Sequence, residues 1–510
     1  MKNFLALSIV ILSLTLAASC GRGEVENLIL TDRSPLLVNT SDELAYVLDR
    51  AYIRREGIVA PDEDRLRDFI RERDSSRGAF SHLFRNNPLR QDEVSMGDAR
   101  SSTRFLFSAL AEFYAPYFFL GGDEVFLPVL DDIIVAIEAQ QRWYVDDLSL
   151  LLHAYLSSVI NDAHFLIHGQ ETMRFHKHHM FLNFDGRFNR HRGSFYCQES
   201  GLYIESVMLQ CQPDIVLNVN DVLRLTVDES GTDFFYSPVV LLPAYMETPH
   251  YLLISFEDES SMLRSLKYQH GEFVRGEDWE RASTSLEFIQ EIPVITSPQM
   301  GSDANRDADD WYDRDALFLS FAEQLRDEPV IIMDLRFNGG GHPAPPGQWL
   351  YTLTSEVIPA NSVFFSAVEH DTLYSYGILA HWADRYSATP FEYNHTIFLS
   401  TPDRIVSNNQ LIVFLTCRFT ASSAELMVDL AFNMENTLII GRNTIGALQT
   451  SVGLQKRLPF TGLPLSFSHN MWVHPEEHFQ ESIGFAPDIW VQGDALTATL
   501  AMINNHLLTN

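Results

Sequence analysis

At 510 residues the chain is too long for a single hydrophobic core, so two to four domains are expected. With 46% hydrophobic and 20% charged residues its composition is that of a globular protein and excludes a disordered one. The 68 Asp+Glu against 36 Lys+Arg give a net charge of −32, which argues against nucleic acid or an anionic membrane surface as a partner.

Residues 1–19 read as a leader: Lys2 supplies the positive start, and Phe4 to Leu16 is almost wholly apolar but short for a membrane span. The run Leu16-Ala17-Ala18-Ser19-Cys20 resembles a bacterial lipobox, in which the chain is cut before the cysteine and that cysteine carries the lipid. A plain secretory signal with a chance cysteine is the alternative, and either reading puts the mature protein outside the cytoplasm. The expectation is a lipid anchor at Cys20, a tether over 20–40, and a place in the bacterial cell envelope, periplasmic or on the outer surface. In such an oxidising compartment Cys197 and Cys211 are close enough in sequence for a disulfide, which spacing alone leaves open. Cys417 follows an apolar strand and reads as packing.

From Ser41 the pattern turns helical, with Leu44, Val47, Leu48 and Tyr52 on one face. Further helices are expected over Asp62–Arg73, Thr103–Tyr114, Leu127–Gln140 and Asp146–Ile160, making 41–164 a helical N-terminal domain. The arginine-rich run from Arg54 to Arg90 is interleaved with Asp and Glu and reads as a solvated helical surface. The last helix delivers Asn161-Asp162-Ala163-His164. Residues 165–290 read mainly as β, with Phe181–Phe184 before an Asp185-Gly186 turn and alternation over Asp214–Val227. His176, His178 and His179 alternate in part like an exposed strand face, and His474 and His478 lack evident partners; no metal site and no cofactor are expected.

Residues 291–510 read as an α/β core with a mostly parallel sheet. Strands are expected at Ile292–Ile295, Val330–Leu335, Thr396–Leu399, Leu411–Leu415 and Leu438–Ile440, with helices over Leu317–Leu325 and after Pro346. The Gly339-Gly340-Gly341 loop has neither the Gly-Lys-Ser/Thr of a phosphate-binding loop nor the spacing of a dinucleotide fingerprint. Phe419-Thr420-Ala421-Ser422-Ser423-Ala424-Glu425 is a small-residue turn between a buried strand and a helix. It is either an ordinary N-cap or a turn that holds a serine hydroxyl beside free backbone N–H groups.

Five motifs in order resemble the tail-specific (C-terminal-processing) serine proteases and the related tricorn core proteases. They are Asp162-Ala163-His164, the strand ending Asp334-Leu335-Arg336-Phe337-Asn338-Gly339-Gly340-Gly341, Ala421-Ser422-Ser423-Ala424-Glu425, Gly441 to Gly446, and Gly484-Phe485-Ala486-Pro487-Asp488-Ile489. The resemblance covers about Glu291 to Asn510 plus the His164 region. It implies a ClpP/crotonase-like core, a peptide or protein substrate, Ser422 as nucleophile and His164 as general base. It also implies Glu481 as the residue that orients the imidazole, and Gly340 and Ser423 as the oxyanion-hole donors. The lysine that one branch uses as base is replaced by Ala447. Lysine occurs only at positions 2, 177, 267 and 456, none of which matches that motif. Relatives with the fuller relay carry serine just before the histidine, where this chain has Ala163, so Glu481 is expected to reach His164 directly or through water. No carboxylate-binding loop of a standard PDZ domain is evident in 165–290. Because related modules in interphotoreceptor retinoid-binding protein bind hydrophobic ligands, an inactive binding lipoprotein on the same fold is the alternative function.

Overall fold

The computed structural model describes residues 39–58, 89–167, 178–210, 212–243, 251–268, 283–300, 311–366, 398–399, 405–451 and 454–508. The leader, Cys20, the tether, the helix expected over Asp62–Arg73, His176 and Cys211 lie outside the described residues.

The longer helices are α1 (Asp42–Glu56), α2 (Met96–Phe113), α3 (Gly122–Glu138), α4 (Val145–Leu156), α5 (Trp311–Gln324), α6 (Ala344–Thr354), α7 (Ser423–Ala431) and α8 (Ala495–His506). Helices α1, α5, α6, α7 and α8 flank a 12-stranded sheet whose centre is built from β1 (Leu223–Val227), β2 (Ile292–Thr296), β3 (Val330–Asp334), β4 (Leu411–Thr416), β5 (Thr437–Gly441) and β6 (Ile489–Val491). Neighbours in the order β1-β6-β5-β4-β3-β2 all run parallel. Strands β3, β4 and β5 are buried along their whole length, which is why they read as continuous apolar runs.

Successive side chains of these strands go to opposite faces. Ile331, Met333, Ile412 and Phe414 pack under Phe318 of α5, Trp349 of α6 and Met427 of α7. Ile332, Val413 and Leu438 pack under Leu44 and Leu48 of α1 and Met502 and Ile503 of α8. Each such side chain contributes roughly 1.5–3 kcal/mol by leaving water. The core is therefore the expected mostly parallel α/β arrangement.

Residue 290 marks no break in this sheet. Strand Phe234–Pro243 pairs antiparallel with β1 and with His178–Leu182, so the 165–290 region supplies one flank of the core sheet. Also in that region, Ser261–Ser265, Tyr251–Phe256, Ile204–Leu209 and Gln212–Leu217 form a separate four-stranded antiparallel sheet. Phe398–Leu399 was expected beside the parallel strands. It pairs antiparallel with Val363–Ser366 instead, in a separate small sheet completed by Asn470–Val473. Helix α3 starts at Gly122, ahead of the expected Leu127, and carries Pro128 inside. Glu124 and Pro128 are both exposed, so the carbonyl left without a helical donor faces water. Cys197 is a free, buried thiol among Phe188, Phe195 and Val207, so the pairing that spacing left open is not made: the thiol serves as a small core residue.

Helices α2, α3 and α4 form the expected N-terminal helical layer. Their apolar faces close over Leu458, Leu463, Leu465 and Phe467 from the C-terminal half of the chain. Directly after His164, Leu166–Ile167 pairs antiparallel with Pro464–Phe467, which pins the Asp162-Ala163-His164 turn to the core.

Helix α1 is locked from its other end. Ser41 Oγ accepts the Leu44 N–H at 3.2 Å as N-cap. Arg55, buried near the C-terminus of α1, donates to Thr437 O at 2.6 Å and to Asp488 Oδ2 at 3.1 Å. The same Asp488 oxygen accepts the Ile439 N–H at 2.9 Å, so the Pro487-Asp488-Ile489 motif ties α1 to β5. Breaking a buried pair leaves its partner uncompensated. Asp488→Ala is expected to lower the unfolding free energy by about 3–5 kcal/mol, measured by urea denaturation; a loss within experimental error would show that the pair is dispensable.

Candidate active site

Strand β4 ends at Thr416, and the chain must turn sharply to enter α7. Thr420 Oγ1 accepts the Cys417 N–H at 3.0 Å and donates to Leu335 O at 2.9 Å. The Ala421 N–H donates to Asn338 O and the Ile445 N–H to Thr420 O. Held on both sides, Ser422 adopts φ 53° and ψ −119°, a conformation that a residue with a side chain rarely takes. An ordinary N-cap has extended backbone, as Ser41 and Ser95 do here. The turn thus stores strain at the one serine that the motifs single out.

Glu425, one turn into α7, is fully buried and collects four donors. Its Oε2 accepts the Ser422 N–H at 2.9 Å and the Ala447 N–H at 2.7 Å, and its Oε1 accepts the Thr444 hydroxyl at 2.5 Å and the Gly446 N–H at 2.8 Å. Burial raises this carboxyl above its ordinary value even though the four donors pull it down. Its two oxygens accept all four bonds, which holds both of them fixed. The Gly441–Gly446 motif is thereby explained as a strap across the serine turn. At Gly446 (φ +81°) a Cβ would meet the backbone nitrogens of Ser482, Ile483 and Gly484 at 2.6 Å, so only glycine lets the closing motif dock.

The glycine loop after β3 lies against the serine. A Cβ on Gly340 would sit 2.6 Å from Ser422 Cβ and 3.1 Å from Ser423 N. The loop is set by Asn338, fully buried, whose Nδ2 donates to Ser297 O at 2.8 Å and whose Oδ1 accepts the Gly340 N–H at 2.9 Å. The Gly340 N–H, expected as an oxyanion donor, is thus given to the Asn338 side chain in this structure. Ser423 Oγ donates to Gly341 O at 2.8 Å, and its N–H belongs to the first turn of α7. Arg336 and Asp334 secure the loop: the guanidinium bonds both Asp334 oxygens and reaches Asp494. Cys417 is a buried thiol whose Sγ accepts the N–H groups of Phe337 and Phe419, and burial pushes it up from its usual range.

His164 comes from the helical layer. Ala163 packs against Ala421, Ile445 and Ala447, so the histidine turn and the serine turn are in contact. The imidazole Nδ1 lies 3.2 Å from Thr450 Oγ1, and Thr450 was not singled out in the sequence. Glu481 is buried and its two oxygens accept the N–H groups of Ala163 and Gln449, both at 3.0 Å. It thus grips the backbone beside His164 and Thr450. Burial, and then the charge of Asp162, push the Glu481 carboxyl well above the usual carboxylate range. Lys456 lies on Leu454–Arg457 opposite Leu465.

His474 and His478 meet Asp429 of α7 in a pocket of aromatic rings. His478 Nε2 is 2.9 Å from Asp429 Oδ1 and His474 Nε2 is 3.8 Å from Oδ2, with Phe432, Phe479 and Phe485 around them. Among the described residues no cluster is arranged to hold a metal ion.

The decisive comparison concerns residues 292–491, which match the family model of peptidase family S41. These residues form a domain of the S41 peptidase type. Among solved structures, similar ones include mature CPAF complexed with lactacystin, at 13% identity, covering 80% of this chain and 96% of that one with a TM-score of 0.39. The photosystem II D1 C-terminal processing protease is similar at 11% identity over 77% and 92%, with a TM-score of 0.33. The tricorn protease is similar at 13% identity over 80% of this chain and 35% of that one, again at 0.33. A comparison with curated protein sequences finds no match. In this S41 core the aspartate–arginine strand, the serine turn, the threonine–glycine strap and the proline–aspartate closure are one hydrogen-bonded assembly.

Two consequences can be measured. Glu425→Gln keeps the shape but puts an amide NH2 among four donors, and is expected to cost about 2–3 kcal/mol in urea denaturation; wild-type stability in that variant would refute the strap. Burial lowers the His474 imidazole from 6.5 to about 4. Between those values the unfolded chain holds more protons than the folded one, so stability falls as pH is lowered through that window and this contribution levels off below it. His474→Phe is expected to lose less stability than the parent between pH 6.5 and 4; identical pH profiles would show that His474 does not contribute.

Proposed function

We propose that the chain is an extracytoplasmic, lipid-anchored serine peptidase in which Ser422 attacks the peptide carbonyl and His164 is the general base. The observation that carries this reading is the strained backbone of Ser422 at the N-terminus of α7, with Gly340 pressed against its Cβ. Strain of about 1–3 kcal/mol persists only where the surroundings over-determine it. Here Glu425, Asn338 and Thr420 do so. A serine hydroxyl is a weak nucleophile, so its proton must pass to a base in the same step. His164 takes that proton and returns it to the leaving amine.

The tetrahedral oxygen would sit at the N-terminus of α7, where the Ser423 N–H donates and the helix end favours negative charge. A second donor comes from the 339–341 loop once a substrate is seated. Glu481 supports the site through the backbone N–H groups of Ala163 and Gln449. Ala447, buried where the other branch of the family places its lysine, packs in the same cluster as Ala421. The lipobox-like run ending at Cys20 supports anchoring to the membrane, with the folded body held outside the cytoplasm.

The test is labelling by a fluorophosphonate probe together with peptide hydrolysis. The full chain is expected to label, Ser422→Ala to label not at all, and His164→Ala to slow by roughly 10⁴-fold. An unlabelled parent, or a His164→Ala variant at full rate, would overturn the mechanism. Cys20→Ser is expected to move the protein from the membrane fraction to the soluble one; unchanged lipid labelling of that variant would overturn the anchor.

A further inference from the structure

We infer that Thr450 and Asp162 form the relay that holds the His164 ring in its working tautomer, which makes Thr450 a positioning residue of this site. The inference rests on the reading of His164 as the base. Three hydrogen bonds carry it. Thr450 Oγ1 donates to Asp162 Oδ1 at 2.5 Å, because a carboxylate can only accept. The hydroxyl has one proton, so toward His164 Nδ1, 3.2 Å away, its oxygen must accept. Nδ1 then carries the ring proton, and Nε2 keeps the lone pair that a base requires. Asp162 Oδ1 also accepts the His164 backbone N–H at 2.8 Å, so one carboxylate oxygen fixes both the main chain and, through Thr450, the ring.

The relay is built from rigid parts. Asp162 and Thr450 are 0% and 2% exposed. Thr450 bridges Met471, and the preceding Gln449 is held by Glu481 Oε2 through its N–H and by the Trp472 N–H through its carbonyl. Ala163 has no hydroxyl to offer the ring, and Thr450 reaches it from a different segment.

The charges around the ring agree with this division of labour. Burial and the Asp162 charge both favour a protonated Glu481, with Glu425 adding to the same effect. Burial and then Asp162 push the Tyr114 phenol well up, so it too stays neutral. Asp162, joined to the ring through the Thr450 hydroxyl, is thus the carboxylate placed to face an imidazolium. Asp162 is fully buried with the Tyr114 phenol beside it, which keeps its charge away from water.

The experiment uses the full chain with Thr450→Val, Thr450→Ser, Asp162→Asn and Glu481→Gln. Fluorophosphonate labelling is followed against pH, and the His164 ring is observed by nitrogen NMR, assigned by difference from His164→Ala. Wild-type His164 is expected as the Nδ1–H tautomer. Thr450→Val is expected to slow labelling by about 10–100-fold and to move the acid limb down by about one pH unit, because the imidazolium loses its link to Asp162. Asp162→Asn should do the same, and Thr450→Ser should restore both rate and limb to within about threefold. A purely structural role for Thr450 would lower rate without moving the limb, and Thr450→Ser would not then differ from Thr450→Val. An Nε2–H tautomer in the parent, a silent Thr450→Val, or a limb moved by Glu481→Gln alone would overturn the relay. The ring measurement reads the relay even if labelling proceeds without His164, which would overturn only the assignment of the base.

Discussion

A single buried carboxylate, Glu425, ties together the parts that must agree for the site to exist. It joins the first residue of the serine turn to the strap at Thr444, Gly446 and Ala447, and the strap in turn receives the closing segment at Ser482–Gly484. An ionised carboxyl without partners would be expelled from such an interior. Four donors convert that cost into geometric constraint, since each fixes a different piece of backbone relative to the same two oxygens. The strained Ser422 backbone is held against relaxation by this grip, and the Asn338 side chain sets the opposite wall with comparable economy.

The site is also a study in how an acidic protein manages negative charge indoors. Asp162, Asp334, Glu425, Asp429 and Glu481 are all buried, each with a different form of relief. Asp334 has the Arg336 guanidinium, Asp429 has His478 and the Asn361 N–H, and Glu425 has neutral donors alone. Glu481 and Asp162 face each other across the histidine turn and repel, so holding a proton on one stabilises the charge on the other. Surface acids far from the core contribute little to this balance, because solvent and salt screen them.

Much of this architecture was legible from local pattern. Buried strands announced themselves as apolar runs, α1 through its Ser41 cap, and the motifs in their order marked the S41 core. What pattern could not show was long-range. Strand β1 lies in a region that reads as separate β structure, yet it completes the core sheet beside β6. Phe398 and Leu399 look like a core strand, but only register with Val363 and Phe364 decides their sheet. The expected helix began at Leu127, because the exposure of Glu124, which makes Pro128 tolerable inside α3, is a tertiary fact. Gly340 fits the motif's role, but that the Asn338 side chain holds its N–H shows only in three dimensions. Thr450 carries no sequence signal, since one threonine among many becomes noteworthy only when Asp162 and His164 converge on it. Its place could have been sought in the missing hydroxyl at Ala163.

The short pairing of Leu166–Ile167 with Pro464–Phe467 has a bearing on when such an enzyme becomes dangerous to its maker. The histidine is synthesised early and sits on a helical layer whose apolar face is completed by residues from the far end of the chain. The serine comes later, and the strap and closing segment later still. A ribosome-bound chain therefore holds only fragments of the site, with its histidine unanchored. The complete site arrives as the final act of folding, which delays any attack on neighbouring unfolded chains until synthesis is over.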